Sequence, residues 1–255
     1  PYNYLIGLKQ KVDPIYLELK YKNIERLAAK RNAALQSRVL VRSEDDYVNG
    51  VLSNKNGALG IKLRLKGDWT DHLNSNKWSF RIKTKDNKVF LGMKKFSLQS
   101  PGTRNYIWEY LYHDLLRKEG LPSLRYEFRP LFLNGKNLGI YALEEHFDKI
   151  LLESNKFREG PILKLSENKL WDMRRDSRPT YDEFYKTFST GFKLNYLDKK
   201  PILRKNFFLA NKLLNDFHTK KLSTSEVFDI ELLANYFAIH DLLNAKHALN
   251  WHNMR

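Results

Sequence analysis

Residues Leu59 to Lys83 read L-G-I-K-L-R-L-K-G-D-W-T-D-H-L-N-S-N-K-W-S-F-R-I-K, and their alternation decides the fold. Leu59, Ile61, Leu63 and Leu65 alternate with Gly60, Lys62, Arg64 and Lys66, the period of a strand with one buried and one polar face. Beyond a turn-rich loop that starts at Gly67, Trp78, Phe80 and Ile82 alternate with Ser79, Arg81 and Lys83. The pattern predicts two antiparallel strands joined by a glycine-containing loop, with Lys and Arg in a row on one face. Two meanings stay open. The row is the solvated face of a hairpin, or it is an anion site where Gly67 lets backbone approach a phosphate and Lys83 or Arg81 supplies charge.

Working outward, 255 residues suffice for one large domain or two lobes. A hydrophobic content of 42%, with 15 Phe, 14 Tyr and 5 Trp, supports a sizeable globular core. Lys and Arg number 45 against 29 Asp and Glu, and the formal net charge of +16 attracts anionic partners over long range. Nucleotides, acidic proteins, nucleic acid and an anionic membrane surface are all candidates. The charge is spread along the chain without a basic tail, RNA-binding motif or zinc-finger spacing, which argues against specific nucleic-acid recognition. The absence of cysteine removes disulfides, thiolate catalysis and Cys-based metal sites. No apolar run approaches the roughly 18 residues of a spanning helix. Pro1 is not an initiator Met, and the chain stops at N-W-H-N-M-R without an end signal, so an excerpt of something longer is expected.

Upstream, Leu19, Ile24, Leu27, Ala28 and Leu35 among many charges predict an amphipathic helix over Ile15 to Gln36. Asp13 is its cap and Pro14 its first residue, and an exposed arm is the expected role. A short strand is expected at Val39 to Val41, a short helix from S-E-D-D-Y-V, and turns at Asn49-Gly50 and Asn56-Gly57. Downstream, Val89 to Leu91 and Phe96 to Leu98 extend the sheet. Thr103 to Glu119 reads as a helix. Asn134-Gly135 between Arg125 to Leu133 and Lys136 to Leu143 is a strong hairpin signal. Phe147 to Leu152 reads as helix, Ile162 to Leu165 as strand and Lys169 to Pro179 as loop. Helices follow around Tyr181 to Phe188, Lys205 to Phe217 and Thr224 to Leu249, the last opened by a Ser223 to Glu226 capping box. Sheet first and helices afterwards predicts an α+β protein of two lobes. The boundaries fall at 1–36 for a helical arm, 37–165 for a sheet-rich small lobe and 166–255 for a helical lobe cut short at its C-terminal end.

Familiar catalytic signatures do not occur. G-x-S-x-G, G-x-x-x-x-G-K-[ST] and G-x-G-x-x-G are all missing. His240 and His247 lie seven apart on the predicted last helix, about 10.5 Å along its axis, too far to share one metal ion. Lys83 ends the strand F-R-I-K, and the next helix offers Glu109. This order of lysine strand and glutamate helix is the one protein kinases use to hold nucleotide phosphates.

Several separated motifs between Ile61 and Arg255 resemble the CotH kinases, the spore coat protein H group. Arg64-Leu-Lys66-Gly67-Asp68 looks like that family's R-x-R-G-N/D loop, and Lys77-Trp-Ser79-Phe-Arg81-Ile-Lys83 like its K-K-S-[FY]-R-I-K strand. Arg104-Asn105 resembles its R-N helix opening. Phe132-Leu-Asn134-Gly135, then Gly139-Ile-Tyr141-Ala-Leu-Glu-Glu145-His-Phe-Asp148, is similar to its N-G hairpin ending in acids. The resemblance implies an atypical protein-kinase-like two-lobed fold, a mostly antiparallel sheet lobe followed by a helical lobe, and Mg2+-dependent phosphate transfer from ATP to Ser or Thr of a protein. By position, Lys83 and Arg81 would hold phosphates, Lys66 and Gly67 would roof them, and Glu145 would sit at a hinge-like strand end. Asn253 resembles the family's metal-binding asparagine. Where the catalytic Asp is usually found stand Asn244-Ala245-Lys246, so Asp241 and His247 are the candidates nearest that position. A further metal-binding Asp would fall beyond Arg255. The resemblance favours an extracytoplasmic or cell-envelope location, an acidic or Ser-rich protein substrate, and association with a membrane surface or envelope. An inactive relative is the first variant of this reading. The alternative is a non-enzymatic basic binding module of the cell envelope that docks acidic partners.

Overall fold

The computed structural model describes residues 11–67, 70–167, 187–245, 248–249 and 253–254. Asp68, His247, the loop expected at Lys169 to Pro179 and most of the helix expected at Tyr181 to Phe188 lie outside them. The chain divides into two compact units, residues 1–113 with 124–146, and residues 114–123 with 147–255.

The first unit is built on a seven-stranded closed barrel. Its strands are β1 (Ile15–Leu19), β2 (Val48–Asn54), β3 (Gly57–Leu65), β4 (Phe80–Thr84), β5 (Lys95–Gln99), β6 (Tyr126–Leu133) and β7 (Lys136–Glu145). They run around the barrel in the order β1-β2-β3-β4-β5-β7-β6, and every pairing is antiparallel except the β1–β6 closure. The predicted β3–β4 pairing forms, with Leu63 opposite Ile82 and Leu65 opposite Phe80. Those residues, with Ile61, Phe96, Leu98, Tyr141 and Leu143, fill the barrel. Each fully buried Leu, Ile or Phe contributes roughly 1.5–3 kcal/mol.

The chain is α+β, as the order of elements predicts, but the sheet expected as the small lobe of a two-lobed kinase-like fold closes into a barrel. Closure comes from residues assigned to a helix. Ile15, Leu17 and Leu19 are buried while Tyr16 and Glu18 are exposed, a period of two that makes a strand of the first five residues. The helix begins only at Tyr21 and runs to Ser37 (α1). Its Leu27 and Ala34 belong to the same core as the barrel, so the segment is a part of this unit and not an exposed arm. Asn49-Gly50 is likewise no turn, because both residues lie inside β2. A Cβ at Gly50 would stand 2.5 Å from Leu19 Cδ2, so glycine here lets β1 cross close to β2.

The Asn134-Gly135 turn is of type I′ character, with φ of 48° and 81° at its two central residues. Asn134 also splices β1 to the hairpin. Its side-chain Oδ1 accepts from Leu19 N at 2.8 Å, and its Nδ2 donates to Leu19 O at 2.9 Å.

In the second unit β8 (Leu163–Leu165) pairs antiparallel with β9 (Ser189–Gly191). Helices dominate the rest. Beyond α2 (Trp108–Lys118), which starts in the first unit, come α3 (Lys149–Ser154), α4 (Leu194–Leu197), α5 (Pro201–His218), α6 (Thr224–Val227) and α7 (Ile230–Leu242). The single helix expected from Thr224 to Leu249 is therefore two. Phe228 is extended, and Asp229 caps α7 by accepting from Leu232 N. Asn244, at φ 49°, ends the run.

A Cβ-branched residue at position 135 has room but the wrong backbone preference, since nothing lies within 4 Å of a Cβ there while φ is 81°. Gly135→Val should cost about 1–2 kcal/mol through left-handed strain alone, and thermal denaturation should show a melting point several degrees lower.

Candidate functional site

Alternation sorts the polar residues of β3 to β7 onto the outer face of the barrel. Arg64 lies opposite Arg81, Arg81 opposite Ser97, Ser97 opposite Glu144 and Glu144 opposite Tyr126, a continuous row across five strands. One step away along the strands are Lys66, Ser79 and Gln99. One step the other way are Lys62, Lys83 and Lys95.

The centre of this face is an ion pair. Lys66 Nζ donates to Glu144 Oε2 at 2.6 Å and to Gln99 Oε1 at 2.5 Å, and Lys66 is only 8% exposed. Burial lowers the Lys66 pKa to about 8, against the opposing pull of Glu144, and the Arg81 charge pushes in the same direction as burial. For Glu144 burial acts upward, yet Lys66, Arg81 and Arg104 outweigh it and hold the carboxyl far below the usual carboxylate range. Nearby, His72 Nδ1 and Ser79 Oγ are 3.1 Å apart, and burial followed by the Lys66 charge lowers the His72 pKa to about 3. His72 is thus neutral at physiological pH, and its Nδ1 and the Ser79 hydroxyl share one hydrogen bond. Ser97 Oγ, fully buried in the central row, has no hydrogen-bond partner among the described residues.

Gly67 follows Lys66 with φ 113°, a backbone conformation that side chains other than glycine rarely adopt. The loop thus has the freedom that close approach of a phosphate requires. Arg81 is on the Lys66 face and donates to His146 Nδ1 at 2.9 Å. Burial lowers its pKa against the pull of Glu144. Lys83 shares the face but not the central cluster. Its Nζ reaches the two Glu44 oxygens at 2.8 and 3.1 Å and lies 4.0 Å from the centroid of the Tyr47 ring. The kinase-like pairing of Lys83 with Glu109 is therefore not made. Glu109 instead stands 3.6 Å from His113 Nε2 and 3.8 Å from Arg104 Nε.

Glu145, expected at a nucleotide hinge, points to the other side of its strand. Arg125 takes it up bidentately, with Nη2 on Oε1 at 2.5 Å and Nε on Oε2 at 3.0 Å. Arg125 then donates to the Leu91 and Gly92 carbonyls, so the pair locks the end of β7 to a neighbouring turn. The acid facing the lysine is its neighbour Glu144, which the sequence reading passed over. A signal was present: Tyr141, Leu143 and Glu145 share one parity, and the apolar members of that set face the core.

Asp241 and Asn253 belong to the second unit. Asp241 is exposed on the last turn of α7, and Asn253 is half-buried. His240, beside Asp241, is buried and donates from Nδ1 to Tyr236 O at 2.6 Å. Among the described residues no three His, Asp or Glu side chains gather as a metal ion would need.

The family model described as CotH kinase protein matches residues 63–252. No curated protein matches the chain.

Removing one member of a buried pair strands the other. Lys66→Met should cost roughly 3–5 kcal/mol in chemical denaturation, and adding Glu144→Leu should recover most of that loss. The sign with pH follows from the depressed Glu144. Its contribution is complete above the ordinary value of 4.5 and fades as pH falls below it, so Glu144→Gln should flatten the acid limb of a stability-against-pH curve.

Proposed function

The chain belongs to the CotH kinase family, and from that premise we propose that it transfers the γ-phosphoryl group of ATP to a Ser or Thr hydroxyl of a protein. The observation that supports this reading most is the buried pair of Lys66 and Glu144 beside Arg81. Taking each ion out of water costs several kcal/mol, so such a pair is a poor device for stability. Apolar residues of similar volume would serve the barrel as well. Ionisable groups with displaced pKa values, held in one geometry, are what a phosphate-binding site requires.

In this reading a polyphosphate lies along β3 and β4. Side chains on one face recur every two residues, roughly 6.6 Å. Lys66, just past the end of β3, and Arg81 on β4 would meet successive phosphates. At neutral pH Lys66 is mostly protonated, and an arriving phosphate would move its lowered pKa back up toward the ordinary lysine value. Lys66 is already fixed by Gln99 and Glu144, so little reorganisation is needed when charge shifts toward the leaving group. Gly67 would let backbone N–H groups approach from above.

Transfer itself forms a bond from the acceptor oxygen to the γ-phosphorus and breaks the bond to the β–γ bridging oxygen. ADP leaves, and the hydroxyl proton passes to a base. Asp241 and His247 are the candidates for that base by position, and Asn253 is the described residue offered to Mg2+. The metal, when bound, would neutralise charge on the β- and γ-oxygens.

The Lys66→Met, Glu144→Leu double variant separates this role from folding. Titration with a fluorescent ATP analogue should show roughly ten- to hundredfold weaker binding than wild type, the loss of a charge-assisted phosphate contact. Unchanged affinity in the folded double variant would remove Lys66 from the site.

A further inference from the structure

The open end of the basic face has a feature that phosphotransfer does not use. Lys62 stands directly opposite Lys83, and Lys83 directly opposite Lys95, three ammonium side chains in one row across three strands. Neighbouring strands are only about 4.8 Å apart, and like charges placed directly opposite weaken a sheet. Arg64 stands one step along on the same face. Tyr47 gathers two of these cations, with Lys83 Nζ at 4.0 Å and the Arg64 guanidinium carbon at 5.4 Å from its ring centroid.

The chain itself shows what fits this row. Glu44, in the 3₁₀ turn Glu44–Asp46, sets both carboxylate oxygens on Lys83. The hydrogen bond from Lys83 lowers the Glu44 pKa against a smaller effect of burial, and the charges of Lys83, Arg64 and Lys95 add to it. The Glu44 side chain is nonetheless 84% exposed. Exposed pairs of this kind hold weakly and exchange readily.

We propose that the Lys62, Lys83 and Lys95 row, with Arg64, docks an acidic segment of a partner protein, whose carboxylates replace Glu44 on Lys83 and engage the cations on either side. Charge complementarity calls for an anion, and the Glu44 contact shows a protein carboxylate seated on the row. Single-stranded nucleic acid is the poorer match because the Tyr47 ring is engaged by two cations, whereas such strands bind by stacking bases on aromatic rings. The inference is independent of phosphotransfer, since docking needs no nucleotide.

The test is fluorescence anisotropy with a short labelled Asp/Glu peptide, in the absence of ATP and at fixed salt. Lys62→Glu combined with Lys95→Glu should weaken binding about tenfold or more. Lys62→Gln with Lys95→Gln should weaken it in the same direction, which covers the case in which charge reversal disturbs the fold. Glu44→Gln removes the competing carboxylate and should tighten binding about threefold. Unchanged affinity in the lysine variants overturns the proposal, as does a Glu44→Gln variant that binds no tighter. Tighter binding of an unlabelled-sequence oligothymidine or of phosphatidylserine vesicles at the same salt also overturns it, by assigning the face to nucleic acid or membrane.

Discussion

A lysine ammonium and a glutamate carboxylate held 2.6 Å apart beneath the surface of the barrel constrain everything around them. Neither ion can be left alone there. Gln99 supplies Lys66 with a second acceptor, Arg81 and Arg104 add positive charge around Glu144, and His72 is kept neutral by the same burial and the same lysine. The chain must therefore bring β3, β4, β5 and β7 into one register, because a shift of a single residue would turn Glu144 into the core and Glu145 outward. The Arg125–Glu145 pair guards that register from the opposite face.

The parts of this arrangement that rest on local periodicity were legible in the sequence. Leu59 to Leu65 and Phe80 to Lys83 alternate cleanly, and the Asn134-Gly135 hairpin announces itself through residues suited to positive φ. The closure of the barrel was not legible. It depends on β1 pairing in parallel with β6, Ile15 opposite Leu131, across more than a hundred residues. Five residues of alternation in front of an amphipathic helix were absorbed into the helix, since Leu19 also suits the helical stripe. Gly50 misled for a related reason: the same lack of a side chain that suits a turn also suits two strands crossing closely.

The site was legible in composition but not in pairing. Lys66, Arg81 and Lys83 do share a face, because period two dictates it. Which acid meets which cation is decided across strands, and adjacent acids such as Glu144 and Glu145 can be told apart only by counting parity from Tyr141 and Leu143. The face then divides into two regions of different physics. At one end buried charges are paired and shifted in pKa; at the other, exposed Lys62 and half-buried Lys83 and Lys95 confront one another, and Lys83 borrows a carboxylate from Glu44. In the proposed reading the first region holds phosphate and the second docks a partner, so the two functions divide along the same line as the physics.

The claim on which this account stands is that Lys66 is a buried ammonium whose ionisation is set by its surroundings. Its most direct measurement is the titration of the Lys66 side chain by nitrogen-detected nuclear magnetic resonance, assigned by comparison with Lys66→Met. A midpoint at about 8 is the expected result. A midpoint among the surface lysines, near about 10.4, would contradict it.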